Sequence, residues 1–150
     1  MRIRRATPSD AERLARLLRD FDAEYEGDVA SLETLEGRYR TLLEAGEVTA
    51  LLIDDAAGFA QLRFRPSVYG DYLDAYLEEL YVVPERRGEG LGRALLSAAM
   101  ETARGAGAAR IDLGTSEEDE AARHLYESAG FTNREGRPDG PVMLYYERDL

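Results

Sequence analysis

The sequence predicts a mixed α/β (α+β) fold, a central sheet of six to seven strands flanked by about four helices. Three observations predict it. Two amphipathic helical patterns precede any long strand, a hairpin follows them, and a glycine-rich turn then joins a strand directly to a further helix. With 150 residues and 44% hydrophobic content the chain can build one substantial core. Without repeats, low-complexity tracts or Pro/Ser-rich linkers, it is expected to form a single domain over residues 1–150.

Residues 2–6 suit a short first strand. Thr7-Pro8-Ser9-Asp10 reads as a helix start, with Thr7 as N-cap, Pro8 in the first turn and Asp10 reaching back. Leu14, Leu17, Leu18, Phe21 and Tyr25 then recur at helical spacing, which predicts a helix over residues 8–25. A second helix follows Ser31, with Leu32, Leu35, Tyr39, Leu42 and Leu43 on one side and a stop at Gly46. Residues 47–54 and 57–65 form an antiparallel hairpin pattern, and residues 73–83 a strand halted by Pro84. A helix to about Ala103, a strand at 109–114, a helix over 119–129 closed by Gly130, and strands at 131–134 and 142–148 complete the pattern.

No run of about 18 apolar residues occurs and the N-terminus does not read as a secretory signal, so a cytoplasmic protein with no membrane partner is expected. Cysteine is absent, which excludes disulfides, thiolate catalysis and cysteine-bound metal. With His124 the only histidine, neither a conventional zinc site nor a serine-histidine dyad is expected, and no metal is assigned. The net charge of −11 argues against a nucleic-acid partner. All basic residues are arginine, so the lysine of a phosphate-binding P-loop cannot occur.

Residues 85–96, ERRGEGLGRALL, place three glycines in five positions at the mouth of a helix. Such a turn exposes unpaired backbone N–H groups where the helix dipole favours negative charge, and glycines let a ligand approach without a Cβ in the way. Arg87, with Arg86 or Arg93 nearby, can add positive charge. A pyrophosphate suits this seat. A tight turn alone would explain one or two of the glycines, and the dinucleotide pattern GxGxxG after a first strand fits poorly.

The pattern Arg87-Gly88-Glu89-Gly90-Leu91-Gly92 resembles the R/Q-x-x-G-x-G/A signature of the GNAT N-acetyltransferases, and it follows a strand ending Val82-Val83-Pro84. Downstream, Leu125-Tyr126-Glu127-Ser128-Ala129-Gly130-Phe131 is similar to the family's LYExxGF segment. The resemblance implies a sheet splayed at an acetyl-CoA site. The backbone of Gly88, Glu89, Gly90, Leu91, Gly92 and Arg93 would hold the pyrophosphate, with Arg87 at the head of the loop. Leu80, Tyr81, Val82 and Val83 would pair with the pantetheine arm, and a strand N–H near Leu80 to Val82 would meet the oxyanion. Tyr126 would sit by the thioester sulfur as general acid. Family members often carry an asparagine that contacts the cofactor where this chain has Asp119, a residue also placed to cap the helix.

Acetyl transfer to an amine needs a neutral nucleophile, so a carboxylate that accepts the ammonium proton is required. Glu78 and Glu79 interrupt the apolar strand, and strict alternation would put them on opposite faces. Residues 76–82, YLEELYV, resemble the spermidine/spermine acetyltransferase branch, in which the first acid, here Glu78, is the base and the second, here Glu79, helps bind the amine. From the residues alone, both could be solvent-facing carboxylates, and Tyr126 could be a core aromatic. His124 reads as a surface residue.

The resemblance places acceptor entry beside the N-terminal helices and the hairpin, where the chain offers Asp20, Asp22, Glu24, Tyr25, Glu26, Asp28, Tyr69, Asp71, Tyr72 and Asp74. Tyr25, Glu26, Tyr72, Asp74 and Glu78 are the candidate acceptor contacts. Carboxylates with tyrosine faces suit a small cationic amine, whether a polyamine, an aminoglycoside or an amino-acid-like amine. The same acidity could serve solubility alone. A catalytically silent acetyl-CoA sensor and a protein or peptide N-acetyltransferase remain as other classes. The alternating residues 142–146 could pair two subunits into a homodimer.

Overall fold

Thr7 opens the first helix as its sequence requires: its N–H donates to Asp10 Oδ2 at 2.8 Å, and a 3-10 turn over Pro8–Asp10 leads into α1 (Ala11–Glu24). The computed structural model describes residues 1–25 and 27–150, so the acceptor role expected of Glu26 falls outside the described residues. Two compact units emerge, Met1–Leu113 and Gly114–Leu150.

In the first unit, α2 (Leu32–Glu44) starts at Ser31, whose Oγ accepts from the Thr34 N–H at 3.2 Å, and packs beside α1. The strands are β1 (Ile3–Arg5), β2 (Thr49–Ile53), β3 (Gly58–Pro66), β4 (Leu73–Val82) and β5 (Ala108–Asp112). They lie in the order β1-β2-β3-β4-β5, antiparallel as far as β4 and parallel between β4 and β5. The parallel step requires a crossover, which α3 (Leu91–Gly105) provides.

Side-chain alternation sorts the strands onto two layers. Ala50, Leu52, Phe59 and Tyr81 face α1 and α2, joining Leu14, Leu17, Leu35 and Tyr39 in one core. On the opposite layer α3 buries Leu91, Leu95, Leu96 and Ala99. Phe59 and Leu52 are fully buried, and each contributes about 1.5–3 kcal/mol of apolar transfer.

Between β3 and β4 the register shifts at one point. Gln61 pairs with Glu79 while Leu62 pairs with Leu77, so Glu78 is an extra residue on β4, a β-bulge. The bulge resets the alternation that strict strand geometry would impose. Glu78 reaches Gln61 and Arg63, which alternate with Phe59 on the α1/α2 layer, and Glu79 pairs directly with Gln61. Both carboxylates therefore lie on the same layer, not on opposite faces.

In the second unit, α4 (Glu120–Ser128) begins at Asp119, whose Oδ1 accepts from the Ala122 N–H at 3.1 Å. It ends at Ala129-Gly130, with Gly130 at φ +93. Beyond it the expected strands at 131–134 and 142–148 are reduced to a single bridge, Arg134 to Val142, and a Met143 N–H to Asn133 O bond of 2.7 Å. The sheet thus has five strands, not six to seven. Leu144, Tyr145 and Tyr146 carry the alternating strand composition, yet they are exposed, because propensity without a partner ladder does not make a strand. Among the described residues no helix is long and apolar enough to cross a membrane.

Candidate active site

β4 runs into Pro84, a short 3-10 turn over Pro84–Arg86, and then the glycine turn. Gly88 and Gly90 sit at φ +82 and +83, left-handed values that a side chain would strain. Gly90 is the N-cap of α3, and the first intrahelical bond is Ala94 N–H to Gly90 O at 3.1 Å. The N–H groups of Leu91, Gly92 and Arg93 therefore have no acceptor within the helix, and the first turn carries no acidic residue. A Cβ at Gly88 or Gly90 would meet no protein atom within 4 Å. A diphosphate fits this open cradle of amides.

The arginines brace the turn from behind. Arg86 Nε donates to Glu89 Oε2 at 2.8 Å and its Nη2 to Asp54 Oδ2 at 3.1 Å, fastening the turn to the β2–β3 hairpin. Arg87 Nε donates to Val82 O at 3.0 Å, and its Nη2 meets both oxygens of Glu24 on α1 at 2.8 and 2.9 Å. It also lies 5.7 Å from the Tyr81 ring centroid, while the Tyr81 hydroxyl donates to Glu24 at 2.8 Å. Arg87 holds the Glu24 carboxyl below the usual range, against burial. Arg87, expected at the phosphate seat, here shares its charge with Glu24 of α1.

On the α1/α2 layer, a hydrogen-bond chain crosses the sheet. The buried Tyr39 hydroxyl donates to Gln61 Oε1 at 2.6 Å, and Gln61 Nε2 donates to Glu78 Oε1 at 2.6 Å. Arg63 Nε takes the other Glu78 oxygen at 3.0 Å. Burial first, then the Glu79 and Glu78 charges, hold the Tyr39 hydroxyl protonated far above its ordinary range. Glu79 is half-buried, and burial, then Asp22 of α1, then Glu78 push its carboxyl up to about 7.

In the second unit, Tyr126 is half-buried on α4 and meets Phe131 edge-on at 5.9 Å, with the Phe131 N–H donating to Tyr126 O at 3.0 Å. Asp119 spends one oxygen capping α4. His124 is exposed.

A model of the acetyltransferase (GNAT) family matches residues 12–131. The chain belongs to the GNAT family. An uncharacterised N-acetyltransferase of Bacillus subtilis strain 168, YhfO, is 33% identical over 139 residues, covering 91% of this chain and 93% of that one. An aminoglycoside N(6')-acetyltransferase type 1 of Stenotrophomonas maltophilia is 33% identical over 144 residues, covering 89% and 87%. A solved acetyltransferase-class structure from Arthrobacter sp. FB24 superposes with a TM-score of 0.91 at 41% identity, covering 100% of this chain and 96% of that one. The protein is an acyltransferase of GNAT type, a family that uses acetyl-CoA as acyl donor. Relatives named for aminoglycosides and mycothiol appear, so the likeness of residues 76–82 to the spermidine/spermine branch rests on that motif alone.

Within this GNAT frame the candidate acceptor contacts do not form one cluster. Tyr25 ends α1, beside Glu24 and the Tyr81 end of β4, whereas Tyr72 and Asp74 lie at the start of β4, roughly 20 Å away at about 3.3 Å per residue. Asp74 faces Arg65 at 3.8 Å. A cavity of about 380 Å³ opens instead at the Tyr81 end, between Asp20, Ala23 and Glu24 of α1 and Val83 and Pro84.

Gln61, Arg63 and Tyr39 organise the carboxylates, and sequence reasoning gave them no role in the site. Gln61 left a trace: it is the one polar side chain in the buried, otherwise apolar first half of β3, Gly58 to Leu62. Arg87's partner Glu24 lies 63 residues away, and no local pattern pairs the two.

Proposed function

We propose that the chain transfers an acetyl group from acetyl-CoA to a primary amine of a small cationic molecule such as an aminoglycoside or polyamine. The observation that carries this reading is the acid face over β4. Asp22 of α1 acts on Glu79, and Asp20 and Glu24 act on Tyr81, so carboxylates from α1 and β4 converge on one layer. Such a surface concentrates ammonium groups and disfavours anionic acceptors. The aminoglycoside N(6')-acetyltransferase relative supports the same class.

Bound acetyl-CoA supplies an activated acetyl carbonyl and a sulfur leaving group. The amides of residues 88–93 would hold its diphosphate, and Leu80, Tyr81, Val82 and Val83 would align its arm along the end of β4. A β4 carboxylate takes the ammonium proton, and Tyr126 is assigned the proton donor to sulfur on the strength of the LYESAGF match. Asp119, occupied at the helix cap, contributes to cofactor binding only through its remaining oxygen.

Because a thiolate is a good leaving group that needs little help, Tyr126→Phe is expected to lower kcat only about tenfold. Thiol release measured with a panel of aminoglycosides, polyamines, anionic amines and lysine peptides tests the acceptor class. Release with the cationic small amines is expected. A preference for anionic acceptors, or turnover of peptides alone, overturns it.

A further inference from the structure

The bulge and its hydrogen bonds give the two β4 carboxylates different freedoms. Both oxygens of Glu78 are engaged, Oε1 by Gln61 and Oε2 by Arg63, and Gln61 is fixed in turn by the Tyr39 hydroxyl at its own Oε1. That orientation matters: with Oε1 held by a donor, the Gln61 amide can present only its N–H to Glu78. Glu78 thereby meets a neutral donor and a cation, both of which bind the ionised carboxylate. Among the described residues, no hydrogen bond holds Glu79, which pairs backbone to backbone with Gln61 and stands next in line on the same layer.

We propose that Glu79, and not Glu78, accepts the proton of the incoming ammonium, while Gln61 and Arg63 position Glu78 as a fixed anion beside it. The inference rests on acetyl transfer to an amine as proposed above. It reverses the roles that the motif resemblance implies for the pair. One ammonium N–H proton passes to Glu79, freeing the nitrogen lone pair; the N–C bond forms and the C–S bond breaks, the leaving sulfur takes a proton from the acid assigned above, and the second proton shed by the acylated nitrogen restores that acid through water. Glu79 returns its proton to water before the next turnover.

Among the described residues, the charged groups acting on Glu79 are Asp22 from α1 and Glu78 on its own strand; the neutral Tyr39 from α2 lies in their field, and Arg63 from β3 binds Glu78. The two carboxylates disfavour a second negative charge, and Arg63 is already committed to Glu78. A base with a midpoint near neutrality is ionised often enough to take a proton and basic enough to keep it.

The test combines carboxyl-carbon NMR titration of the full chain with the pH dependence of thiol release, using spermidine and kanamycin as acceptors. Glu79 is expected to titrate near neutral pH, and kcat/KM should fall on the acid side at the Glu79 midpoint. Glu79→Gln should remove that acid limb and lower kcat about 100-fold. Glu78→Gln should move the Glu79 midpoint, and the limb with it, to lower pH. If Glu78 is the group titrating near neutrality, if Glu79 titrates in the ordinary carboxylate range, or if Glu79→Gln keeps the limb, the assignment falls and acetyl transfer stands. If the native chain releases thiol with neither amine, acetyl transfer to a small cationic amine and the assignment fall together.

Discussion

Gly90→Val is expected to weaken CoA binding about a thousandfold, the equivalent of about 4 kcal/mol, with only a small loss of stability. The size follows from what the residue does. Gly90 is the N-cap of α3 at φ +83, directly before the first-turn N–H groups of Leu91, Gly92 and Arg93. Two or three charge-assisted bonds to a diphosphate at about 1.5–3 kcal/mol each account for the loss when a branched side chain stands in front of them. No protein atom lies within 4 Å of the new Cβ, so the fold suffers only the left-handed strain, on the order of 1–2 kcal/mol. Calorimetry with CoA and a thermal melt on the same sample separate the two effects. A valine protein that melts normally and binds CoA as well as the native chain contradicts this use of the turn.

Asp10→Ala is expected to cost about 3 kcal/mol of stability. Asp10 is 3% exposed and accepts from Arg4 Nη1 and Nη2 at 2.8 and 2.7 Å, from Arg13 Nη1 at 2.7 Å and from the Thr7 N–H. Removing it takes the carboxylate away from the Arg4 guanidinium, leaves Arg13 with Asp55 alone and opens the helix cap. Both arginines reach water, which keeps the cost at the lower end of the range for a broken buried pair. The same bonds, Arg4's first, hold the Asp10 carboxyl well below its usual 3.8. Between the folded and unfolded pKa values the unfolded chain binds more protons, so this contribution is complete above about pH 4 and fades as acid approaches the folded value. Glu79 tilts stability the other way. Its carboxyl is raised, the folded chain binds more protons between about 4.5 and 7, and stability falls as pH rises through that window. Urea denaturation at pH 3, 5 and 8 for the native, Asp10→Ala and Glu79→Gln chains resolves both slopes. A native chain whose acid loss survives unchanged in Asp10→Ala contradicts the first.

Much of the frame was readable in the residues because it is encoded locally. Leu14 and Leu17, with Leu18 and Phe21, mark the buried side of α1 at helical spacing, Ser31 starts α2, and the aspartates at 54 and 55 turn the β2–β3 hairpin with positive φ. The glycine turn was equally plain, since left-handed backbone at the head of a helix calls for glycine. What was not legible depends on register and distance. The bulge at Glu78 exists only in the pairing of β4 with β3, and reading β4 alone gives the wrong faces for the carboxylates. The pairing of Arg87 with Glu24, 63 residues apart, leaves no mark in the local pattern around the glycine turn. The pattern of residues 142–146 promised a strand, and strand composition cannot supply the neighbour that a ladder needs.

The glycine turn at the head of α3 is the proposed seat for the phosphates of CoA. Titration calorimetry of the native chain with CoA at neutral pH tests this most directly. A saturable heat with one CoA per chain, lost on Gly90→Val, is the result expected. No heat with CoA, or an identical isotherm for the valine variant, would contradict it.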